Sequence, residues 1–141
     1  MNTGNIFNIN KKKLIDLASN YKIELILVFG SYAKRNVHKR SDLDIGIYSQ
    51  EKITPHDLWE LQTKLMELFG RDDIDVVILN DTSPVLLFNI LKHHTPLYIS
   101  DNNLLNQFKI MALKRYWHYL THFKKFADNL ERKRLKKLGI V

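Results

Sequence analysis

Val28-Phe29-Gly30-Ser31-Tyr32-Ala33-Lys34-Arg35, followed shortly by Ser41-Asp42-Leu43-Asp44-Ile45, is the stretch from which the rest of the chain is read. It opens on Glu24 to Phe29, a continuous apolar run of strand length halted by Gly30, which predicts a strand buried on both faces. At that halt a glycine lets the backbone approach a phosphate closely. The following amides and the Ser31 hydroxyl then have oxygens to donate to. The second segment predicts a strand over Leu43 to Tyr48. Alternation sets Leu43, Ile45 and Ile47 on one face and Asp42, Asp44, Gly46 and Tyr48 on the other. Two carboxylates on one face repel each other. A hard divalent cation such as Mg²⁺ removes that cost by taking oxygen ligands from both, together with substrate phosphates.

Outward from this centre, Lys11 to Tyr21 has the spacing of a short amphipathic helix, with Leu14, Ile15, Leu17 and Ala18 on one side. Thr54-Pro55 caps and opens a second helix through Leu58, Leu61, Leu65 and Leu68 to a stop at Gly70. Asp75 to Leu79 predicts a third strand. If it lies beside the second, Asp75 joins Asp42 and Asp44, and three carboxylates can hold two metal ions roughly 3.5–4 Å apart for in-line phosphoryl transfer. Asp72 and Asp73 stand close by, and Asp73 shares the parity of Asp75, so the third carboxylate is open among them. Ser83-Pro84 starts a further helix ending before His93-His94, which read as a C-terminal cap rather than a zinc site. A brief strand is expected at Leu97 to Ile99.

From about Asn103 the spacing is helical to the end, with Leu105, Phe108, Ala112, Tyr116, Tyr119, Phe123, Phe126 and Leu130 in one stripe. Such a helix covers the sheet with one part and projects with another, where it is placed to pair with a second chain. The expectation is an α/β (α+β) fold: a small mixed sheet with helices packed on it and a long C-terminal helix. Residues 1–100 form the core and 101–141 the C-terminal helix with its basic tail, a partner-binding extension of the same domain.

The 141 residues, 45% hydrophobic and 26% charged, suit one globular domain. The absence of cysteine excludes a disulfide scaffold, a thiolate metal site and a cysteine nucleophile, and accords with a cytoplasmic protein. No apolar run approaches the roughly 18 residues of a membrane span, and residues 1–10 lack the layout of a signal peptide. Of the net charge of +7, the tail from Lys124 carries +5, through seven cations against Asp128 and Glu131. A tail of this kind serves either as a solvated helix end matching the C-terminal dipole or as an electrostatic contact for an acidic surface or nucleic acid. The run Lys34, Arg35, Lys39 and Arg40 around His38 reads either as a solvated loop or as a counter-charge for triphosphate.

The Gly-Ser, then Asp-x-Asp, arrangement resembles the signature of the DNA polymerase β-like nucleotidyltransferase superfamily. Chain size and the C-terminal helix resemble its minimal nucleotidyltransferases, the antitoxins encoded beside HEPN-domain toxins. The resemblance spans roughly residues 10–100 and rests on Gly30, Ser31, Asp42 and Asp44, with Asp75 supported by position. It implies a sheet of the polymerase β type, contact of Gly30 and Ser31 with NTP phosphates, metal ligation by Asp42 and Asp44, and a ligand or general-base role for Asp75. Arg35 stands where the family pattern has glycine. Its turn therefore differs, and its cation is assigned to phosphate.

The resemblance further implies Mg²⁺, two ions, as cofactor, ATP as substrate, and AMP transfer to a tyrosine of a cognate HEPN ribonuclease in a hetero-oligomer. Two alternatives stand beside that reading. One is a small-molecule, aminoglycoside-like acceptor, although only about 40 residues follow the core; the other is a module that neutralises its partner by contact alone. Nucleic acid is not expected as the acceptor, because no RNA-recognition pattern accompanies the tail. Arg115 and His122 match the Arg-x6-His spacing of HEPN ribonucleases, but one helix cannot supply that bundle and the match is taken as chance.

Overall fold

A computed structural model describes residues 8–30, 32–33 and 42–140. Its elements are α1 (Lys11–Asn20), β1 (Ile23–Phe29), β2 (Leu43–Ser49), α2 (Pro55–Phe69), β3 (Ile74–Ile78), a 3₁₀ turn (Leu79–Asp81), α3 (Pro84–Lys92), β4 (His94–Ile99) and α4 (Leu104–Lys137). The sheet order is β3-β2-β1-β4. β1 runs antiparallel to both β2 and β4, and β2 and β3 are parallel across the α2 crossover. The mixed sheet with helices packed on it and a long terminal helix is the architecture expected from the sequence.

Local chemistry explains where the elements begin and end. Thr54 and Asp57 form a reciprocal capping box at the start of α2, Asp57 N donating to Thr54 Oγ1 at 3.1 Å and Thr54 N to Asp57 Oδ2 at 3.2 Å. Gly70 closes the helix in the left-handed region at φ 65°. Ser83 caps α3 through its side chain, with Pro84 in the first turn. Beyond the β2–β3 ladder, the Asn80 amide takes both backbone groups of Ser49, accepting from its N–H at 3.1 Å and donating to its carbonyl at 2.9 Å. That replaces the strand partner a 3₁₀ turn cannot offer.

Both faces of the sheet are covered. On one, Ile26 and Val28 of β1 with Leu43, Ile45 and Ile47 of β2 pack against Leu14 and Leu17 of α1 and Leu61 and Leu65 of α2. On the other, Leu25 and Leu27 meet Leu87 and Ile90 of α3 and Phe108 and Ala112 of α4. Gly46 makes the second layer fit: a Cβ there would come within 3.0 Å of the Leu79 side chain, which lies directly over it.

Two expectations need correction. β4 begins at His94 rather than Leu97, since Pro96 lies inside it; β4 is an edge strand, where a missing N–H costs no ladder bond. His93 does cap α3, but His94 belongs to β4 and its Nδ1 lies 2.9 Å from the Leu91 carbonyl.

α4 is 34 residues long, about 50 Å at 1.5 Å per residue, against strands of 5–7 residues. Among the described residues only its first third is anchored, by buried Phe108 and Ala112 and by stacking of Tyr116 on Phe88 at 3.9 Å. Arg115 donates to the Thr82 carbonyl, and His122 Nδ1 lies 3.0 Å from the His118 carbonyl one turn back. Among the described residues no helix is long and apolar enough to cross a membrane.

Candidate active site

The end of β1 and the starts of β2 and β3 lie at the same edge of the sheet. In the pairing of β1 with β2, Phe29 stands opposite Asp44; in the parallel pairing of β2 with β3, Asp44 stands opposite Asp75. Partners at the same register share a face. Asp44 and Asp75 therefore project side by side on the face that carries Tyr48, with Asp42 just ahead of the strand. The condition on which Asp75 depended, adjacency of the third strand to the second, is met.

Gly30 completes the arrangement. Its φ is +71°, in the left-handed region, and a Cβ on it would sit 2.2 Å from Asp44 Oδ2. The carboxylate thus occupies the space that any other residue at this position would fill. Asp44 is half-buried, whereas Asp42 and Asp75 are exposed. Burial first, then the neighbouring charge of Asp75, then that of Asp42, push the Asp44 carboxyl above the usual carboxylate range.

Among the other acids considered, Asp73 is withdrawn from this group. Arg71 binds both of its carboxylate oxygens and holds its carboxyl below the ordinary value. Asp72 is exposed, and among the described residues the charges that act on Asp44 are those of Asp75 and Asp42. Sequence parity alone could not separate Asp73 from Asp75, although an arginine two residues before an aspartate was a signal available for doing so. The part played by Arg71 and Tyr32 was not anticipated at all. Ser31 and Arg35, with Lys34, His38, Lys39 and Arg40, lie outside the described residues.

Among the described residues no three acidic or histidine side chains already converge as a ready-made metal-binding group. The donor set nonetheless fits a hard divalent cation. It consists of carboxylate oxygens only, two of its members are exposed, and the third carries a repulsion that a cation would relieve. The clefts lined by Asn10, Lys13 and Lys64, and by Pro84, Arg115 and His122, include none of these carboxylates. Chemically, an open edge with three acids beside a glycine turn suits an anionic substrate that brings its own cations.

Residues 12–103 match the family described as Polymerase beta, Nucleotidyltransferase. Protein adenylyltransferase MntA of Shewanella oneidensis is 28% identical over 126 residues, covering 86% of this chain and 88% of its own. A crystal structure of a toxin–antitoxin pair with AMP-PNP superposes with a TM-score of 0.71 at 27% identity, over 86% of this chain and 98% of that one. The tri-AMPylated HEPN toxin of Shewanella oneidensis in complex with its MNT antitoxin supplies a further match of fold, with a TM-score of 0.64 at 24% identity, over 86% of this chain and 95% of that one.

Proposed function

This chain belongs to the polymerase β nucleotidyltransferase family, and on that premise we propose that it is an antitoxin that transfers AMP from ATP to a tyrosine hydroxyl of a HEPN ribonuclease partner. The observation that carries the reading is the register Asp44↔Asp75 beside Gly30, with Asp42 adding its charge. The relative named a protein adenylyltransferase and the AMP-PNP-bound toxin–antitoxin pair support the choice of donor and acceptor.

In this reading the turn at Gly30, with Ser31, presents amides and a hydroxyl to the triphosphate, and Arg35 meets its charge. Asp42, Asp44 and Asp75 are the residues that would hold Mg²⁺, two ions. When bound, these would neutralise the phosphates and the departing pyrophosphate. The phenol oxygen attacks the α-phosphorus, the bond to the β-phosphate oxygen breaks, and pyrophosphate leaves. Asp75, exposed at the edge of the sheet, is placed to accept the phenol proton. The partner's own surface orients its tyrosine, so the distal part of α4 serves as a binding arm. We place the reaction in the cytoplasm, where ATP and a ribonuclease toxin meet.

Intact-mass spectrometry of a HEPN partner co-expressed with this chain tests the proposal. One or more increments of AMP are expected with the wild type and none with Asp44→Asn. A partner that is neutralised yet unmodified by either would favour neutralisation by contact alone, a reading supported by the exposed aromatic side chains on α4.

A further inference from the structure

The geometry points to Arg71 as a positioning residue for nucleotide binding, acting through Tyr32; the inference rests on the nucleotidyltransferase reading of the site. Arg71 follows the glycine that closes α2, and its backbone N–H is bonded to the Met66 carbonyl at 3.1 Å, so its side chain starts from a fixed point. Among the described residues its guanidinium makes several contacts. It holds both carboxylate oxygens of Asp73, donates through Nη1 to the Tyr32 hydroxyl at 2.6 Å, and lies 5.0 Å from the centre of the Tyr32 ring. Tyr32 is only 8% exposed and packs in the core beneath α1 and α2, two residues beyond Gly30.

Asp73 extends the link. Its carbonyl accepts from the Leu43 N–H at 2.9 Å, and Leu43 sits between Asp42 and Asp44; two residues on, Asp75 faces Asp44. One guanidinium thereby joins the turn after β1 to the start of β3, and through Asp73 to the start of β2. These are the three segments that carry the proposed nucleotide and cation ligands. A planar fork with several donors can hold a carboxylate and a phenol together, which a lysine ammonium does not reproduce. Since a glycine turn has little intrinsic preference for one conformation, the Tyr32 anchor selects the one that faces the carboxylates.

Tyr32→Phe removes the hydroxyl and keeps the ring, its packing and its contact with the guanidinium, so it isolates positioning from stability. Titration calorimetry with MgATP on Tyr32→Phe and Arg71→Lys should show affinity reduced roughly 3- to 10-fold, the scale of one buried hydrogen bond. The melting midpoint of nucleotide-free Tyr32→Phe should fall by no more than about 5 °C, the shift expected for one hydrogen bond. In AMP transfer to the partner, KM for ATP should rise by the same factor while kcat at saturating ATP stays within about two-fold. The double variant should be no weaker than the weaker single one, because the link that Tyr32→Phe severs is also lost in Arg71→Lys. Wild-type affinity in both single variants, or a fall in kcat and melting midpoint with KM unchanged, overturns the inference. If the wild type itself binds no MgATP, the nucleotidyltransferase reading falls and takes the inference with it.

Discussion

The carboxylate edge of the sheet and the outer half of α4 break the ordinary rule of burial in opposite directions. At the edge, Asp44 is half-buried and faces Asp75 across a strand pair, a charged group where packing alone would favour an apolar one. Along outer α4, Trp117, Phe123 and Phe126 are 62%, 56% and 60% exposed, apolar groups where solvation would favour polar ones. Each departure costs stability in the isolated chain, and under the proposed function each would be relieved by something brought from outside: cations with a triphosphate in the first case, a protein surface in the second. The anchored and projecting parts of α4 show the same contrast within one helix, since Phe108 is 3% exposed and rests on Tyr48 at 4.9 Å.

The largest effect should come from the edge. Asp42→Asn and Asp44→Asn each keep side-chain volume while removing a charge, and AMP transfer should fall by about 100-fold or more, the scale of a lost electrostatic contact to the transition state. In EDTA their melting midpoints should equal or exceed that of the wild type. Near-wild-type transfer by both would show that the carboxylates are not the metal ligands.

On α4 the comparison becomes one of stability. Phe108→Ala should cost about 3–5 kcal/mol in urea unfolding, as for other buried phenylalanines, whereas Phe126→Ala should fall within about 0.5 kcal/mol. Equal losses would mean that the outer half is packed in solution. Truncation after Phe123 should be milder still for the core, because residues 124–140 are almost wholly exposed. MgATP affinity should survive, while affinity for the partner, and its dependence on salt, should decline. Loss of nucleotide binding in a folded truncated chain would erase the proposed division of labour.

The smallest effect is one of pH. With its carboxyl raised in the folded protein, Asp44 contributes stability below the unfolded carboxylate value of about 3.9 and loses that contribution as pH rises through the raised folded value. In EDTA the melting midpoint of Asp44→Asn should therefore gain on that of the wild type as pH rises from about 4 through the raised folded value, and level off above it. A gap that does not change with pH would contradict the upward shift assigned to burial and to the charges of Asp75 and Asp42.

Much of this could be read from residues close together in the chain. Thr54-Pro55, Gly70 and Ser83-Pro84 mark helix ends through hydrogen bonds made within one turn, and the parity of Asp42 and Asp44 follows from the strand repeat alone. The apolar run before Gly30 announced a central strand for the same reason: burial on both faces leaves no polar alternation. Pro96 hid the start of β4, because whether a proline is tolerated depends on having no neighbour on its outer side.

What the sequence by itself determined, then, is the inventory: the elements, the glycine turn, the first two carboxylates and the apolar stripe of the last helix. Only the tertiary structure decided which strand lies beside β2, that Asp75 rather than Asp73 faces Asp44, that Arg71 links Asp73 to Tyr32, and where α4 leaves the core. The physical reason is range. Caps and strand parity are settled by neighbours a few residues apart, whereas these four outcomes rest on pairings between residues distant in sequence, whose loop-closure cost is met only when the whole sheet and both of its apolar layers form together.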